Sequence, residues 1–324
     1  MNIIYSCDNK VAKYATTSMA SVCVNHCDEQ VNFYFLSRGF DEYTIGEIKK
    51  TAAMYGANVE FIKVPDGMFA DFRIGKQEYQ NYWPEETYYY FMAHELLPHS
   101  IARALYMDVD VIVSADIRSY YYDSFDGKLM LVTRSEKDID VEQMMKKPDR
   151  LFLSSSMNEI FNTGVLVMNL EGFRKNNINI NTYLEFVNYV EQNGMKEELF
   201  ADQGIMNGIF ADKVKLCGRP LEYNDNFNMY GDSKILHAAG HIVKPWVFRM
   251  RPNIDPLVYG NGRKPFEWVE ANIRLSLIWW EYAKLASNYE AMLAEVEQFE
   301  KLKYNEYNEK YTALAKWYKY KVGC

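Results

Sequence analysis

No stretch of the 324-residue sequence approaches eighteen consecutive apolar residues, so none of it reads as a membrane-spanning helix. Basic charge is also scarce. The 36 Lys and Arg stand against 44 Asp and Glu, a formal net charge of −8 without the basic excess that a phosphate backbone requires. No nucleic-acid partner is expected, and a small or surface-bound substrate is expected instead. Cysteine is scarce and odd in number: Cys7, Cys23, Cys27, Cys217 and Cys324 show no framework spacing, which fits a reducing compartment. Cys23, His26 and Cys27 have no second ligand pair nearby, so buried thiols are expected rather than a metal site. The opening "MNIIYSCDNK" has neither the basic flank nor the apolar core of a secretory signal, and a cytoplasmic location is the expectation. Internal repeats and low-complexity tracts are absent.

What is present is enough apolar material, 48% of the residues, to bury a sizeable core. In the first 135 residues, short runs rich in β-branched and aromatic residues alternate with helix-period segments. "IIYSC" (3 to 7), "VNFYFLS" (31 to 37), "VEFIKV" (59 to 64), "LYMDVDVIV" (105 to 113) and "KLMLVT" (128 to 133) read as strands. Between the second and third, Asp41 caps a predicted helix whose Ile45, Ile48, Ala52 and Tyr55 share one face. Strands so spaced imply βαβ units and a largely parallel sheet, with ligands outside the carboxyl ends of the strands. Residues 136 to 160 read as a loop-rich insertion, and "FNTGVLVMNL" (161 to 170) as a further buried strand. Prolines and glycines then break the chain between 245 and 265. Beyond it, Leu285, Tyr289, Met292, Val296 and Phe299 form an apolar stripe for core packing or a helical partner. The division expected is a main domain over 1–284 and a C-terminal helical tail over 285–324. Residues 314 to 324 mix Lys316, Lys319 and Lys321 with Trp317, Tyr318 and Tyr320, as a peripheral membrane segment does; an ordinary solvated helix end stays equally open.

The segment "LYMDVDVIV" places two carboxylates, Asp108 and Asp110, inside a strand-like run. In an extended chain they share one side, about 7 Å apart. Their mutual repulsion and lost hydration would be relieved by a shared divalent cation. Two enzyme classes use such a pattern: haloacid-dehalogenase-type phosphatases and metal-dependent glycosyltransferases. The phosphatase motif normally occupies a chain's first strand, whereas three strands precede this one.

The blocks "NIIYSCD", "ETYYYFMAHELLP" (86 to 98), "ALYMDVDVIV", "FNTGVLVMNL", "FADQGIMNGIF" (200 to 210) and "HAAGHIVKPW" (237 to 246), in this order, resemble the retaining glycosyltransferases of family 8, the bacterial galactosyl- and glucosyltransferases related to glycogenin. The resemblance implies an α/β fold of the GT-A, nucleotide-sugar-binding, Rossmann-like type with a mixed, largely parallel sheet. It implies a UDP-galactose or UDP-glucose donor and a carbohydrate, lipid-linked or protein-linked acceptor. Asp108, Asp110 and His237 are then the ligands of manganese, with magnesium as second candidate, and Asp108 also lies on the nucleotide-sugar side. Gly240 and Lys244 match diphosphate contacts, and Asn162 a donor-sugar contact. Asp202 would bind sugar hydroxyls. Gln203 would lie beneath the anomeric carbon, as a weak nucleophile or as a polar group steadying an oxocarbenium-like state. Asp8 falls where the family reads uracil. There the match is uneven: Lys10 and Val11 stand where the family often has an Asn and a stacking Tyr, and Tyr90 stands where it has an arginine; Lys10 and Tyr90 are still expected, with Asp8, on the nucleotide-sugar side. These departures motivate a rival reading, a catalytically idle nucleotide-sugar binder of the same fold. Acceptor, linkage and homo-oligomer formation stay open.

Overall fold

The computed structural model describes residues 1–69, 71–72, 84–134, 161–194, 201–219, 221–225, 232–239, 244–246, 266–298 and 301. The 136 to 160 insertion, Gly240, most of the proline-rich stretch, Phe299 and the 314 to 324 segment lie outside the described residues.

Nine strands are described: β1 (Asn2–Ser6), β2 (Asn32–Ser37), β3 (Asn58–Lys63), β4 (Arg103–Met107), β5 (Val111–Val113), β6 (Met130–Arg134), β7 (Phe161–Asn169), β8 (Val214–Leu216) and β9 (Ile235–His237). Seven form one sheet in the order β3-β2-β1-β4-β7-β6-β8, and β5 pairs with β9 in a second. β1 runs parallel to β2 and β4, β2 to β3, and β6 to β8, while β7 is antiparallel to both of its neighbours. The mixed sheet follows the expectation. Reversal of β7 has a consequence for function: its first residues, Asn162 to Gly164, lie at the edge where β1 and β4 end.

Residue alternation decides the two faces. Ile4, Ala104, Tyr106 and Leu166 point into one core cluster, with Tyr183 and Phe210 from the covering helices. Ile3, Tyr5, Leu105, Met107 and Val167 point into the other, against Met19 of the helix Ala15–Asn25 and Ile48 and Ala52 of the helix Glu42–Met54. Asp41 caps the latter helix, its Oδ1 accepting from the Thr44 amide at 2.7 Å. A third cluster gathers Ile112, Leu236, Trp246, Trp279, Trp280, Met292 and Val296, so the stripe read at 285 to 299 is in part core packing.

The single strand expected over 105 to 113 is corrected. β4 ends at Met107, and the chain turns through Asp108 to Asp110, with the Val111 amide returning to the Asp108 carbonyl at 3.2 Å. Pairing with β7 ends where the Asp108 amide meets the Gly164 carbonyl, and β5 leaves to pair with β9. The two aspartates thus sit in a turn between two sheets, not along one extended face.

The four cysteines among the described residues are free thiols. Cys23 is buried as expected, but Cys27 is exposed. His26 spends its Nδ1 on the Val22 carbonyl and accepts the Ile117 amide at Nε2, a structural use of the ring.

Candidate functional site

The turn after β4 brings the ligand atoms of Asp108, Asp110 and His237 within 4.8 Å of one another. β9 carries His237 in through the pairing Val111↔His237, and the Ala238 amide bonds the Asp110 carbonyl at 3.1 Å. His237 Nε2 lies 3.4 Å from Asp108 Oδ2 and 3.3 Å from Asp110 Oδ1. Asp110 and His237 are buried, whereas Asp108 keeps part of its surface at the cleft.

Charge balance in this cluster is local. Burial alone would neutralise Asp110, but Lys244, whose Nζ sits on Asp110 Oδ2, and the His237 ring hold that carboxyl far below the usual range. Burial likewise opposes charging of His237, yet Asp110 and Asp108 push its pKa up to about 9. Two carboxylates facing an ammonium and an imidazole therefore form a closely matched set. Two carboxylate oxygens and one ring nitrogen form a donor set that fits a divalent cation.

Gly164 makes the approach possible. A Cβ there would lie 2.1 Å from His237 Cε1 and 2.6 Å from Asp108 Oδ2, closer than any side chain allows.

A cleft of about 230 Å³ opens from the cluster, lined by Asp108, Asp110, His237 and Lys244 at one end and by Asn162, Thr163, Asp202 and Gln203 at the other. Asp202 opens the helix Ala201–Phe210, after Ala201 at φ 45. Its carboxylate accepts from Tyr90 Oη at 2.7 Å and Thr163 Oγ1 at 2.8 Å. Enclosure by protein and the charge of Asp108 raise its pKa to about 6, against the lowering effect of those two hydrogen bonds. Gln203 is buried behind it, its Oε1 accepting from Asn162 Nδ2 at 3.0 Å.

Tyr90 and Tyr106 stack with centroids 4.0 Å apart, and Tyr106 Oη donates to Asp108 Oδ1 at 2.7 Å. Burial keeps both phenols well above their ordinary pKa, with Asp202 adding to the shift at Tyr90 and Asp108 at Tyr106, so both remain donors. The pair links the Asp202 carboxylate to that of Asp108 through two rings.

Of the residues singled out in the sequence, Asp108, Asp110, His237, Lys244, Asn162, Asp202 and Gln203 share this cleft. Tyr90 lies behind it, fully buried. Asp8 caps the short helix Asn9–Ala12, its Oδ1 accepting from the Lys10 and Val11 amides at 2.9 and 3.2 Å. Lys10 is exposed, and neither Asp8 nor Lys10 lines the cleft. Gly240 falls outside the described residues. Sequence reasoning missed Ser6, Thr87, Tyr106, Thr163, Gly164 and Asn224. Thr163 and Gly164 were within reach, since they complete the "FNTG" motif that directed attention to Asn162.

The sequence model of glycosyl transferase family 8 matches residues 2–247. Glycosyltransferase GlyB of Streptococcus pneumoniae serotype 4 (strain ATCC BAA-334 / TIGR4) is 24% identical over 284 residues, and the match spans 87% of this chain and 61% of that protein. Lipopolysaccharide 1,2-glucosyltransferase of Escherichia coli (strain K12) is 23% identical over 268 residues, spanning 76% of this chain and 72% of that protein. Among solved structures, galactosyltransferase LgtC in complex with donor and acceptor sugar analogs superposes with a TM-score of 0.63 at 20% identity, covering 86% of this chain and 96% of that one. Mouse xyloside xylosyltransferase 1 superposes with a TM-score of 0.54 at 17% identity, covering 74% and 97%. At these identities the structural likeness bears on the fold, an α/β arrangement of the GT-A type. Among the described residues no helix is long and apolar enough to cross a membrane.

Proposed function

The chain belongs to glycosyl transferase family 8, and from that premise we propose that it is a manganese-dependent retaining hexosyltransferase. It would move galactose or glucose from a UDP-sugar to a glycan, glycolipid or glycoprotein acceptor. The observation that carries this reading is one cleft with Asp108, Asp110 and His237 converging at one end and Asp202 and Gln203 at the other. A divalent cation held by the first three would neutralise the diphosphate oxygens as the sugar bond breaks.

The protein's own groups then have assigned tasks. Lys244 brings a cation to the same end, where its charge offsets that of the departing diphosphate. Asp202, ionised above about pH 6, accepts hydrogen bonds from sugar hydroxyls and so orients the ring. Gln203 stands with its Oε1 already held by Asn162. An oxygen so engaged is a poorer nucleophile, which favours a steadying role toward positive charge at the anomeric carbon and same-face attack by the acceptor hydroxyl.

One observation favours an idle nucleotide-sugar binder instead. Tyr90, at the position of the family's arginine, is fully buried and gives Asp202 a neutral partner in place of a cation.

Incubating the protein with manganese and a panel of UDP-sugars, with UDP release as readout and Asp110→Ala as control, separates the two. Release from one sugar, abolished by the substitution and by chelation, is expected. Binding of manganese and UDP with no sugar turned over, even with candidate acceptors supplied, would favour the idle binder.

A further inference from the structure

Three carboxamides run in series behind the acidic cluster. Gln203 Oε1 accepts from Asn162 Nδ2 at 3.0 Å, Asn162 Oδ1 accepts from Asn224 Nδ2 at 2.9 Å, and Asn224 Oδ1 lies 3.1 Å from His237 Nδ1. Asn224 is 6% exposed, and no motif in the sequence marks it.

Oxygen and nitrogen of a carboxamide have nearly the same shape, so the direction of such a chain must be deduced from a donor of known identity. The Gly164 backbone amide is one, and it donates to Asn162 Oδ1 at 2.9 Å. With that oxygen fixed, Asn162 presents its NH2 to Gln203. Asn224 must then turn its own NH2 toward Asn162, which leaves its carbonyl facing the imidazole. Nδ1 of His237 therefore carries a proton in either charge state of the ring, and Nε2 is the nitrogen directed at Asp108 and Asp110.

We propose that Asn224 is a positioning residue with two separable duties. Its carbonyl holds His237 in the orientation and Nδ1–H form that present Nε2 to a divalent cation. Its NH2 holds Asn162, and through it Gln203, at the sugar end. The two ends of the cleft are thus joined by a hydrogen-bond chain whose direction is set at Gly164. This inference rests on the metal-dependent reading of the cleft. Outer partners of metal-bound histidines commonly govern ring orientation and metal affinity, and Asn224 adds a mechanical tie to the sugar-side glutamine.

Asn224→Asp and Asn224→Ala in the full chain separate the duties. Aspartate still accepts from Nδ1–H but has no NH2 to give, whereas alanine removes both groups. Manganese affinity, read by titration of the protein alone, is expected to be at least as high in Asn224→Asp as in the parent. In Asn224→Ala it is expected to fall about tenfold or more. Both variants should lose kcat for donor hydrolysis, since each removes one of the two donors that hold Asn162 Oδ1. In magnesium-loaded parent protein, 15N NMR of His237 should show a protonated Nδ1. Where the alanine variant fails to fold, Asn224→Leu, close in size and without polar atoms, replaces it.

Equal manganese affinity in parent, Asp and Ala variants, or a protonated Nε2 in the magnesium-loaded parent, would overturn the proposal. A parent that binds no manganese would remove the metal reading and this duty together. Manganese binding with the Asp and Ala variants split, but no sugar turned over by the parent even with candidate acceptors supplied, would keep the metal-side duty and favour the idle binder.

Discussion

A hydrogen in place of a side chain at Gly164 is what lets β7 pass beneath His237. Gly164→Ala puts a methyl into space that His237 and Asp108 already occupy, so one or both must move away from the shared position. Manganese titration should show at least a tenfold weakening, with the thermal midpoint changing little if the two side chains alone rearrange. Asp202 offers a second test at this scale. Burial and the charge of Asp108 raise its pKa to about 6, so in the metal-free protein it should titrate near that value when followed by carboxyl 13C NMR. Tyr90→Phe removes a hydrogen bond that favours the charged form, and the pKa should rise. A divalent cation held at Asp108 would cancel the charge that raises it, so diamagnetic magnesium should lower the pKa measurably. Most of the site was legible at this scale because Asp108, Asp110, His237, Asp202 and Gln203 lie in blocks that resemble one family. Asn224 was not, because a lone asparagine in an irregular segment reads as a turn residue, and its partners, Asn162 and His237, come from two other places in the chain.

Among elements, the segment "LYMDVDVIV" shows where strand propensity stops being informative. β-branched and aromatic residues report a fit to a pleated surface, not the identity of the pairing partner. β4 keeps β7 only to Met107, and β5 keeps β9; of the nine residues only the two aspartates mark the change. The βαβ pattern did give the parallel β1, β2 and β3, while the apolar residues of β7 read as a buried strand without marking its reversed direction. The short segment carrying Lys244 is held in a comparable way. Trp246 stacks on Tyr14 at 4.7 Å between centroids, and Trp280 Nε1 donates to the Pro245 carbonyl at 3.0 Å from the helix Phe266–Ala283. Trp280→Phe keeps much of the apolar contact and loses that donor, a cost of about 1 to 2 kcal/mol. Because Lys244 is the neighbour of Pro245, the KM for the donor should rise several-fold, while manganese affinity without nucleotide stays close to that of the parent. Equal losses in both would show that the tryptophan supports the whole cluster and not the lysine segment alone.

Over the whole molecule, distant parts of the chain close on one another around the cleft. Residues 285 to 298, the start of the expected C-terminal helical tail, pack against the first helices: Lys13 pairs with Glu295 at 2.6 Å, Thr16 bonds Asn288 at 2.8 Å, and Thr51 bonds Ser287 at 2.9 Å. The same third core cluster that receives Met292 and Val296 also holds Ile112 and Leu236, which flank the turn and strand bearing Asp110 and His237. Local changes at the acidic cluster should therefore register in global stability. His237 provides the handle. Its pKa rises from 6.5 to about 9 in the folded protein, so the folded state binds the proton more tightly than the unfolded one. That contribution is fully present below about pH 6.5 and is lost as pH climbs through 9. The thermal midpoint of the metal-free protein should accordingly fall across this interval. A cation that binds the folded state alone adds about 2.7 kcal/mol at a hundredfold excess over its Kd, and it takes over the counter-charge role of the imidazolium. With manganese present the midpoint should rise by several degrees and lose most of its decline up to pH 9. Chelation should restore the decline, and Asp110→Ala should abolish the manganese response. A midpoint with the same pH slope in the presence and absence of manganese would place the ion somewhere other than His237.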